Sequence, residues 1–428
     1  MKLGLAISAV CIAALAQPAR DPVAVGRKAL DLLLAEKYDE LGAMVAPTAK
    51  QTLTPQFLRE RAGSEVRSFG RPGKVGEPAL AKEGRNILVG IPVQFERVEV
   101  NVQFTLNESA QLAGLFFRPM WRRPAYSHPE RFRERELTVG EDAWKLGGTL
   151  LIPVGKGPFR GVVLVHGPGP NDRDETIYSN KLFADLAEGL ASRGIAVLRY
   201  DKRTKTYGDR MSEIDYTVQQ ETVEDAVRAT ALLRRQPEID ARRIFVLGHS
   251  LGGYLAPRIA AQDGRLAGLI FLAANARPVE IMALEQAEYT AGLNPSPDVQ
   301  KRLAGLRAEV ARVRALQPGK ANPPVLMGLP LAYLLDLKGY DAPAAAQHLK
   351  VPMLFLQGSR DFQVTVKDFD LWKSAMVGRG DAAFRAYPTL NHLFIAGEGK
   401  GSPAEYRVPG NVSPEPVGAI ADWVLSQQ

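Results

Sequence analysis

Short apolar runs alternate with longer segments of helical periodicity over the last two thirds of the chain. Apolar runs bounded by turn residues are typical of strands buried on both faces, and strands that alternate with helices favour a parallel sheet. The pattern therefore predicts a doubly wound, mostly parallel α/β unit over residues 135–428. The runs that predict strands are 146–152, 162–165, 195–200, 244–247, 266–273, 352–357 and 383–387, and helices are predicted at 179–193 and 217–235.

A different pattern precedes this unit. Two amphipathic segments are followed by alternating apolar and polar runs, which predicts a small α+β domain over residues 20–118. It shows no paired acids, metal-ligand spacing or phosphate-binding loop. The Pro- and Arg-rich stretch 119–134 is predicted to be a linker. The predicted helices are 25–44 and 55–62, and the predicted strands are 86–96, 98–106 and 111–117.

Residues 1–16 have the pattern of an export signal. Lys2 supplies the positive end, residues 3–15 are apolar, and Ala14 and Ala16 are small at the two positions that a signal peptidase reads. The apolar stretch is too short for a stable membrane span, although a retained anchor is the alternative. We therefore predict a periplasmic or secreted protein. The only cysteine, Cys11, lies in this segment, so the mature chain would contain no disulfide.

A serine framed by glycines follows the predicted strand 244–247. Residues 248–253 read GHSLGG and lead into a helical segment. A strand that reverses into a helix around one exposed hydroxyl leaves no room for neighbouring side chains, which explains Gly248 and Gly252. The N-terminal N–H groups of the helix would face Ser250. The pattern predicts a nucleophile elbow with Ser250 as nucleophile, and the alternative is a glycine-rich turn without chemistry.

A serine nucleophile needs a base and an orienting carboxylate, which follow it in the order acid, histidine in this topology. Asp361 follows the predicted strand 352–357, at the edge where parallel sheets place active sites. His392 follows the last predicted strand and, of the five histidines, is the only one after both Ser250 and Asp361. We predict Asp361 as the acid and His392 as the base. The competing acids are Asp336, Asp341 and Asp368, and the side chain of His249 is expected to point away from the serine.

Residues 166–175, which read HGPGPNDRDE, follow the predicted strand 162–165. Such a turn supplies one backbone N–H of an oxyanion hole, and the residue after the nucleophile, Leu251, supplies the other. Pro168 has no N–H, so the first donor is either Gly167 or Gly169. His166 is interpreted as a residue that stiffens the turn.

These motifs, together with QGSRDFQV at 357–364, LNHLF at 390–394 and the run 194–203, resemble bacterial α/β-hydrolase-fold carboxylesterases, including exported and thermophilic members. The resemblance covers about residues 130–428. It implies a serine esterase of short acyl esters, with Ser250, Asp361 and His392 at the triad positions and a small α+β module upstream. The chain departs from the family at Pro168, where serine is usual. Similar folds host peptidases, which remain the alternative within enzymes.

Residues 276–350 interrupt the predicted sheet. Apolar residues recur there at helical spacing, which predicts a helical cap. The segment 325–335 is almost entirely apolar and either lines an acyl pocket or forms ordinary core of the cap. The residues of the helical stripe are Leu303, Leu306, Val310 and Val313.

Composition agrees with a globular enzyme. The 428 residues are 46% hydrophobic and 24% charged, which is enough to bury a large core. The 54 basic residues are interspersed with 47 acidic ones, so the net charge of +7 does not indicate nucleic-acid binding. The predicted chemistry needs no metal or organic cofactor, and its expected partner is a small-molecule ester; the oligomeric state stays open. A non-catalytic binding protein is the alternative of another class, but binding alone does not require a complete Ser, Asp and His set.

Overall fold

The computed structural model describes residues 21–141, 143–318 and 325–427. The predicted export signal, residues 1–16, lies outside the described residues. The chain divides into two compact units after Met120, close to the predicted end of the small domain at residue 118. Within the described residues, no helix combines the length and the apolar character that crossing a bilayer requires.

The first unit joins helices to an antiparallel sheet, as the sequence pattern predicts. Its helices are α1 (Pro22–Leu34), α2 (Tyr38–Ala43), α3 (Pro55–Phe57) and α4 (Gly63–Ser68), and its strands are β1 (Pro72–Val75), β2 (Ala79–Glu83), β3 (Asn86–Phe95), β4 (Glu99–Leu106) and β5 (Leu112–Pro119). The sheet runs β1-β3-β4-β5, and β2 also pairs with β3. The prediction lacks β1 and β2 because every residue in them is exposed, so no apolar alternation marks them.

Close packing of α1 on the sheet gives this unit its own core. A Cβ on Gly26 would lie 2.6 Å from a methyl carbon of Val89 on β3, and Leu33 of the same helix is fully buried. The single helix predicted at 25–44 is two helices, because Glu36 adopts a φ of 59°, which an α-helix does not allow.

The second unit is built on one eight-stranded sheet. The strands of this unit are β6 (Phe132–Val139), β7 (Leu146–Pro153), β8 (Phe159–Val165), β9 (Thr176–Ile177), β10 (Asn180–Lys181), β11 (Ala196–Tyr200), β12 (Ile239–His249), β13 (Gly268–Leu272), β14 (Val325–Leu326), β15 (Leu329–Pro330), β16 (Met353–Gly358) and β17 (Ala382–Tyr387). The sheet order is β17-β16-β13-β12-β8-β11-β7-β6. Neighbours pair in parallel except at β7, which is antiparallel to β11 and β6. This confirms the predicted doubly wound sheet.

Helices cover both faces of this sheet. They are α5 (Leu182–Ala191), α6 (Arg203–Thr206), α7 (Gly208–Ser212), α8 (Glu224–Arg234), α9 (Leu251–Asp263), α10 (Val279–Leu293), α11 (Pro297–Ala315), α12 (Leu331–Lys338), α13 (Ala342–Gln347), α14 (Val366–Ala375) and α15 (Pro414–Ser426). Along β8, Val162 and Leu164 join the core on one face, and Val163 and Val165 join the core on the other. Since both faces are buried, the strand is apolar throughout, which made it recognisable in the sequence.

The predicted linker 119–134 is wrong for most of its length. Residues from 121 onward belong to the second unit, and β6 is the edge strand of its sheet. Residues 121–127 are held to the second unit by two buried acids on α5, Asp185 and Glu188. The indole N–H of Trp121 donates to Asp185 over 2.7 Å, and the guanidinium of Arg123 and the hydroxyl of Ser127 donate to Glu188 over 2.6 and 2.5 Å.

The predicted cap contains α10 to α13, between β13 and β16. The stripe on α11 faces inward, since three of its four apolar residues are buried, namely Leu303, Val310 and Val313. The last helix departs from the prediction. Ala342 and Ala346 of α13 are buried in the core of the main sheet, so α13 belongs to the layer that covers the sheet.

Candidate active site

Ser250 occupies a strained turn between β12 and α9. Its φ and ψ are 51° and −119°, a combination that is costly for a residue with a side chain. The N–H of Ser250 donates to the carbonyl of Leu272 over 3.0 Å, which fixes the turn to the neighbouring strand. A Cβ on Gly252 would collide with the carbonyl oxygen of Val165, and one on Gly248 would collide with the backbone of Gly252. The close approach that the sequence suggested is therefore present.

Asp361 and His392 form a buried hydrogen-bonded pair. The His392 Nδ1 lies 2.6 Å from Oδ2 of Asp361, and each residue is 4% exposed. The other oxygen, Oδ1, accepts the backbone N–H groups of Gln363 and Val364 over 2.7 and 2.9 Å. Because two backbone donors hold Oδ1, the carboxylate is locked with Oδ2 toward the imidazole.

The loop that carries His392 lies directly beside the elbow. The rings of His249 and His392 have centroids 4.5 Å apart, and the His249 Nε2 lies 3.1 Å from the His392 carbonyl oxygen. On the other side, a Cβ on Gly167 would lie 3.3 Å from Cβ of Ser250. The structure thus brings the predicted nucleophile, acid, base and oxyanion turn to one edge of the sheet.

The competing acids have other partners. Asp336 pairs with Arg258 over 2.6 Å, and Asp368 pairs with Arg277 over 2.6 Å. Asp341 accepts the N–H of Ala344 over 3.0 Å at the start of α13. Each of these acids therefore has a structural partner, and Asp361 is the acid that contacts the His392 imidazole.

His166 fits its interpretation as a stiffening residue. It is 1% exposed, its Nε2 lies 3.0 Å from the carbonyl oxygen of Asp172, and its ring contacts Phe183 and Tyr200. Burial lowers the pKa of His166 to about 4, so the imidazole is neutral at physiological pH.

Side chains of Glu175 and Asn171 hold the turn 166–175, and their contacts distinguish the two predicted glycines. The N–H of Gly167 donates to Oε1 of Glu175 over 2.6 Å, so it is occupied. The Pro168 carbonyl accepts from the side-chain amide of Asn171 over 3.1 Å. Since C=O and N–H point in opposite directions across a trans peptide, the N–H of Gly169 points away from Asn171. The bond to Glu175 argues against Gly167 as the donor and favours Gly169 of the two predicted glycines.

Glu175 also pairs with His249, a contact that the sequence did not predict. The Oε2 of Glu175 lies 3.0 Å from Nδ1 of His249. Burial raises the pKa of Glu175, but the charge and hydrogen bond of His249 outweigh it and lower this pKa below the usual value. Burial lowers the pKa of His249, but Glu175 outweighs it and raises this pKa. Both shifts favour the charged forms of Glu175 and His249. Only the position of Glu175 at the end of the 166–175 motif hinted at a role.

A cavity of about 460 Å³ adjoins Leu251 and Gly169. Four residues of the apolar segment 325–335 line it, which favours the acyl-pocket interpretation of that segment over ordinary cap core. Leu331 is not among the lining residues; it packs against the small cluster that contains Leu334. The lining residues are Pro168, Gly169, Pro170, Thr204, Gly208, Met211, Ser212, Tyr216, Glu221, Leu251, Val279, Gly328, Leu329, Pro330 and Tyr333.

Among the residues that the structure describes, no cluster of His, Cys, Asp or Glu has the arrangement of a metal site.

Comparison with known proteins identifies the family. The model of the alpha/beta hydrolase family matches residues 162–407. Esterase EstD of Thermotoga maritima is 38% identical over 337 residues, which cover 78% of each chain. Similar solved structures include an esterase from Pyrococcus furiosus, at 15% identity and a TM-score of 0.45 with 72% of this chain and 97% of that chain covered. An esterase domain from Rhodothermus marinus matches at 16% identity and a TM-score of 0.42, with 68% of this chain and 97% of that chain covered. The chain belongs to the α/β hydrolase family.

Proposed function

We propose that this protein is a serine carboxylesterase that hydrolyses its substrate through an acyl-enzyme. The observation that carries the proposal is the locked Asp361–His392 pair, 2.6 Å long, beside a serine held at a strained elbow. His392 takes the proton of Ser250 as the hydroxyl attacks the ester carbonyl, and later returns it to the leaving alcohol. Asp361 orients the imidazole and stabilises its cation. In the second step, His392 takes a proton from water as the water attacks the acyl-enzyme, and it returns the proton to Ser250 as the carboxylic acid leaves.

The oxyanion of the tetrahedral intermediate is bound by the N–H groups of Leu251 and Gly169. Leu251 is the first residue of α9, where backbone N–H groups have no partner within the helix. Gly169 lines the same cavity as Leu251. Two such donors in a water-poor site stabilise charge that develops only in the transition state.

The acyl group enters the cavity of about 460 Å³. Leu251, the residue after the nucleophile, and Gly169 line this cavity, whereas Ser250 and His392 do not. We therefore propose that the acyl chain extends into the cavity and that the leaving alcohol lies toward His392. We propose short acyl chains. Esters are favoured over peptides by the similarity to an esterase over 78% of each chain, and comparing p-nitrophenyl esters with aminoacyl anilides tests this choice.

Substitution of the proposed triad should abolish turnover while the protein stays folded. We expect Ser250→Ala to lower kcat by on the order of 10⁶, because triad members act as a unit. Asp361→Asn should cost on the order of 10⁴, because the amide favours the wrong imidazole tautomer. Fluorophosphonate should label the wild type and not Ser250→Ala. Asp341→Asn is the matched control and should leave kcat within about twofold; activity above a tenth of wild type in Ser250→Ala contradicts the assignment.

Bulk in the cavity should shorten the preferred acyl chain. Leu329 lines the cavity and its near neighbour Leu331 does not, so Leu329→Trp and Leu331→Trp form a matched pair. We expect Leu329→Trp to lower kcat/KM for octanoyl relative to acetyl esters by about tenfold or more, since each excluded methylene is worth roughly 1–3 kcal/mol. The measurement is kcat/KM over a p-nitrophenyl ester series. Equal chain-length profiles in both variants would place the acyl group elsewhere.

Export is proposed from residues 1–16 alone. Protein recovered from the periplasm or medium should begin at or near Gln17, because Ala14 and Ala16 fit the processing rule. N-terminal sequencing of each cell fraction measures this. Full-length chain found only in the cytoplasm would refute export without affecting the proposed catalysis.

Loss of the Glu175 carboxylate should slow catalysis through the groups that it positions. Glu175→Gln should lower kcat by up to about 100-fold, the cost of displacing catalytic groups by about 1 Å, with a smaller change in KM. It should also lower the free energy of unfolding by about 3 kcal/mol, because one partner of a buried ion pair is removed.

Glu188→Gln is the control for this variant. Glu188 is a buried glutamate with its own partners, Arg123 and Ser127, and none of these residues contacts the proposed triad. The Glu188→Gln variant should lower the free energy of unfolding and leave kcat near the wild-type value. An equal loss of kcat in both variants would mean that Glu175 acts through stability alone.

A further inference from the structure

The cavity contains a buried polar cluster that the proposed mechanism does not use. Glu221 is 4% exposed and lines the cavity together with Thr204 and Tyr333. The ammonium of Lys202 lies 3.4 Å from Oε1 of Glu221 and is itself buried. These residues come from α6 and the residue before it, from the π-helix Gln219–Val223 that precedes α8, and from α12. The cluster therefore exists only in the folded cavity.

The hydroxyl groups of this cluster donate to Glu221. The Thr204 hydroxyl donates to Oε1 over 2.9 Å, and the Tyr333 hydroxyl donates to Oε2 over 3.0 Å. The Thr222 hydroxyl adds a third bond of 3.2 Å to Oε2. A carboxylate has about four acceptor sites, and with Lys202 they are filled. Burial, together with the Glu221 charge, raises the pKa of Tyr333 well above its usual value, so Tyr333 keeps its proton.

The direction of these protons determines what the cavity can bind. Because both hydrogens point at Glu221, the hydroxyl oxygens of Thr204 and Tyr333 present only lone pairs to a ligand. Ser212, nearer solvent, likewise donates to the Asp209 carbonyl over 2.6 Å. A polar ligand group that reaches this cluster must therefore be a hydrogen-bond donor.

The charges of Lys202 and Glu221 further restrict which ligand donors can bind at the cluster. The Lys202 ammonium neutralises the Glu221 carboxylate, so the cluster carries no net charge that would compensate the desolvation of a ligand ammonium. A ligand carboxylate is also disfavoured, because it finds Glu221 and lone pairs where it needs donors. A hydroxyl is a hydrogen-bond donor and carries no charge, so it satisfies both the donor requirement and the charge requirement. The rest of the wall suits a carbon chain, since it includes Met211, Leu329 and Pro330.

We infer that this cavity selects acyl groups that carry a hydroxyl, which donates to the oxygen of Tyr333 or Thr204 while the chain lies against the apolar wall. The inference rests on the proposed function, because it names the substrate class of the same site. It predicts a preference for hydroxyacyl esters over the corresponding alkanoyl esters.

The test compares kcat/KM for matched pairs of p-nitrophenyl esters, alkanoyl and ω-hydroxyalkanoyl, from butanoyl to octanoyl. At the chain length that reaches the cluster, we expect the hydroxyl to raise kcat/KM by about two- to tenfold, the effect of one neutral hydrogen bond. At shorter lengths the hydroxyl should lower kcat/KM, since it lies against apolar wall.

Variants test whether the hydroxyacyl preference comes from the Tyr333 and Thr204 hydroxyl groups. Tyr333→Phe should reduce the ratio of kcat/KM for hydroxyacyl esters to kcat/KM for alkanoyl esters, and Thr204→Val provides the same test if the first variant does not fold. The matched control is Tyr216→Phe, which removes a tyrosine hydroxyl from the same cavity; the rings of Tyr216 and Tyr333 meet edge to face with centroids 5.8 Å apart. Its preference should equal that of the wild type.

The outcomes separate this inference from the proposed function. Hydrolysis of alkanoyl esters without a gain from the hydroxyl at any length would overturn the hydroxyacyl preference alone. A gain that survives in both Tyr333→Phe and Thr204→Val would also overturn it. Absence of ester hydrolysis, together with absence of fluorophosphonate labelling at Ser250, would refute the esterase itself.

Discussion

The candidate site depends on one buried carboxylate, that of Glu175. One oxygen accepts the N–H of Gly167 over 2.6 Å, and the other pairs with His249 over 3.0 Å. Since His249 also lies 3.1 Å from the carbonyl oxygen of His392, a single charge joins the oxyanion turn, the elbow and the loop of the base. A buried charge is several kcal/mol less stable without a partner. All three segments are therefore stabilised in the one arrangement that satisfies Glu175.

The parallel sheet supplies the second constraint, because it sustains the strain at Ser250. The Ser250 N–H is bonded to Leu272 on one neighbouring strand, while Gly252 lies against the Val165 carbonyl on the other. A positive φ at a residue with a side chain persists only where its surroundings determine it. Here both neighbours of β12 do so, and the hydroxyl is held at the N-terminus of α9, where the helix favours negative charge.

The sequence predicted those features whose signals are local. Strands buried on both faces are apolar throughout, and the GHSLGG turn carries its own glycines, so the sheet and the elbow could be predicted. The packing of segment 121–128 could not be predicted, because its partners Asp185 and Glu188 are about sixty residues away in the chain. Its proline and arginine content is also typical of a linker. The contact between Glu175 and His249 could not be predicted either, because the two residues lie 74 positions apart. The bond that occupies the Gly167 N–H depends on Glu175 and the fold of the turn, which no local pattern contains.

Lys202 joins the turn 166–175 and the cavity beside Leu251 in one network. Its ammonium donates to the Gly167 carbonyl over 2.8 Å and lies 3.4 Å from Glu221, which in turn binds Tyr333 of α12. The position of the cap helix and the position of the oxyanion turn are thus coupled through two buried charges. Binding energy from a remote part of a substrate accelerates a reaction when it is used to orient the reacting groups. In the proposed function, an acyl group that contacts Tyr333 would be linked through Glu221 and Lys202 to the turn that carries Gly169, and this chain of contacts would be the physical route for that use of binding energy.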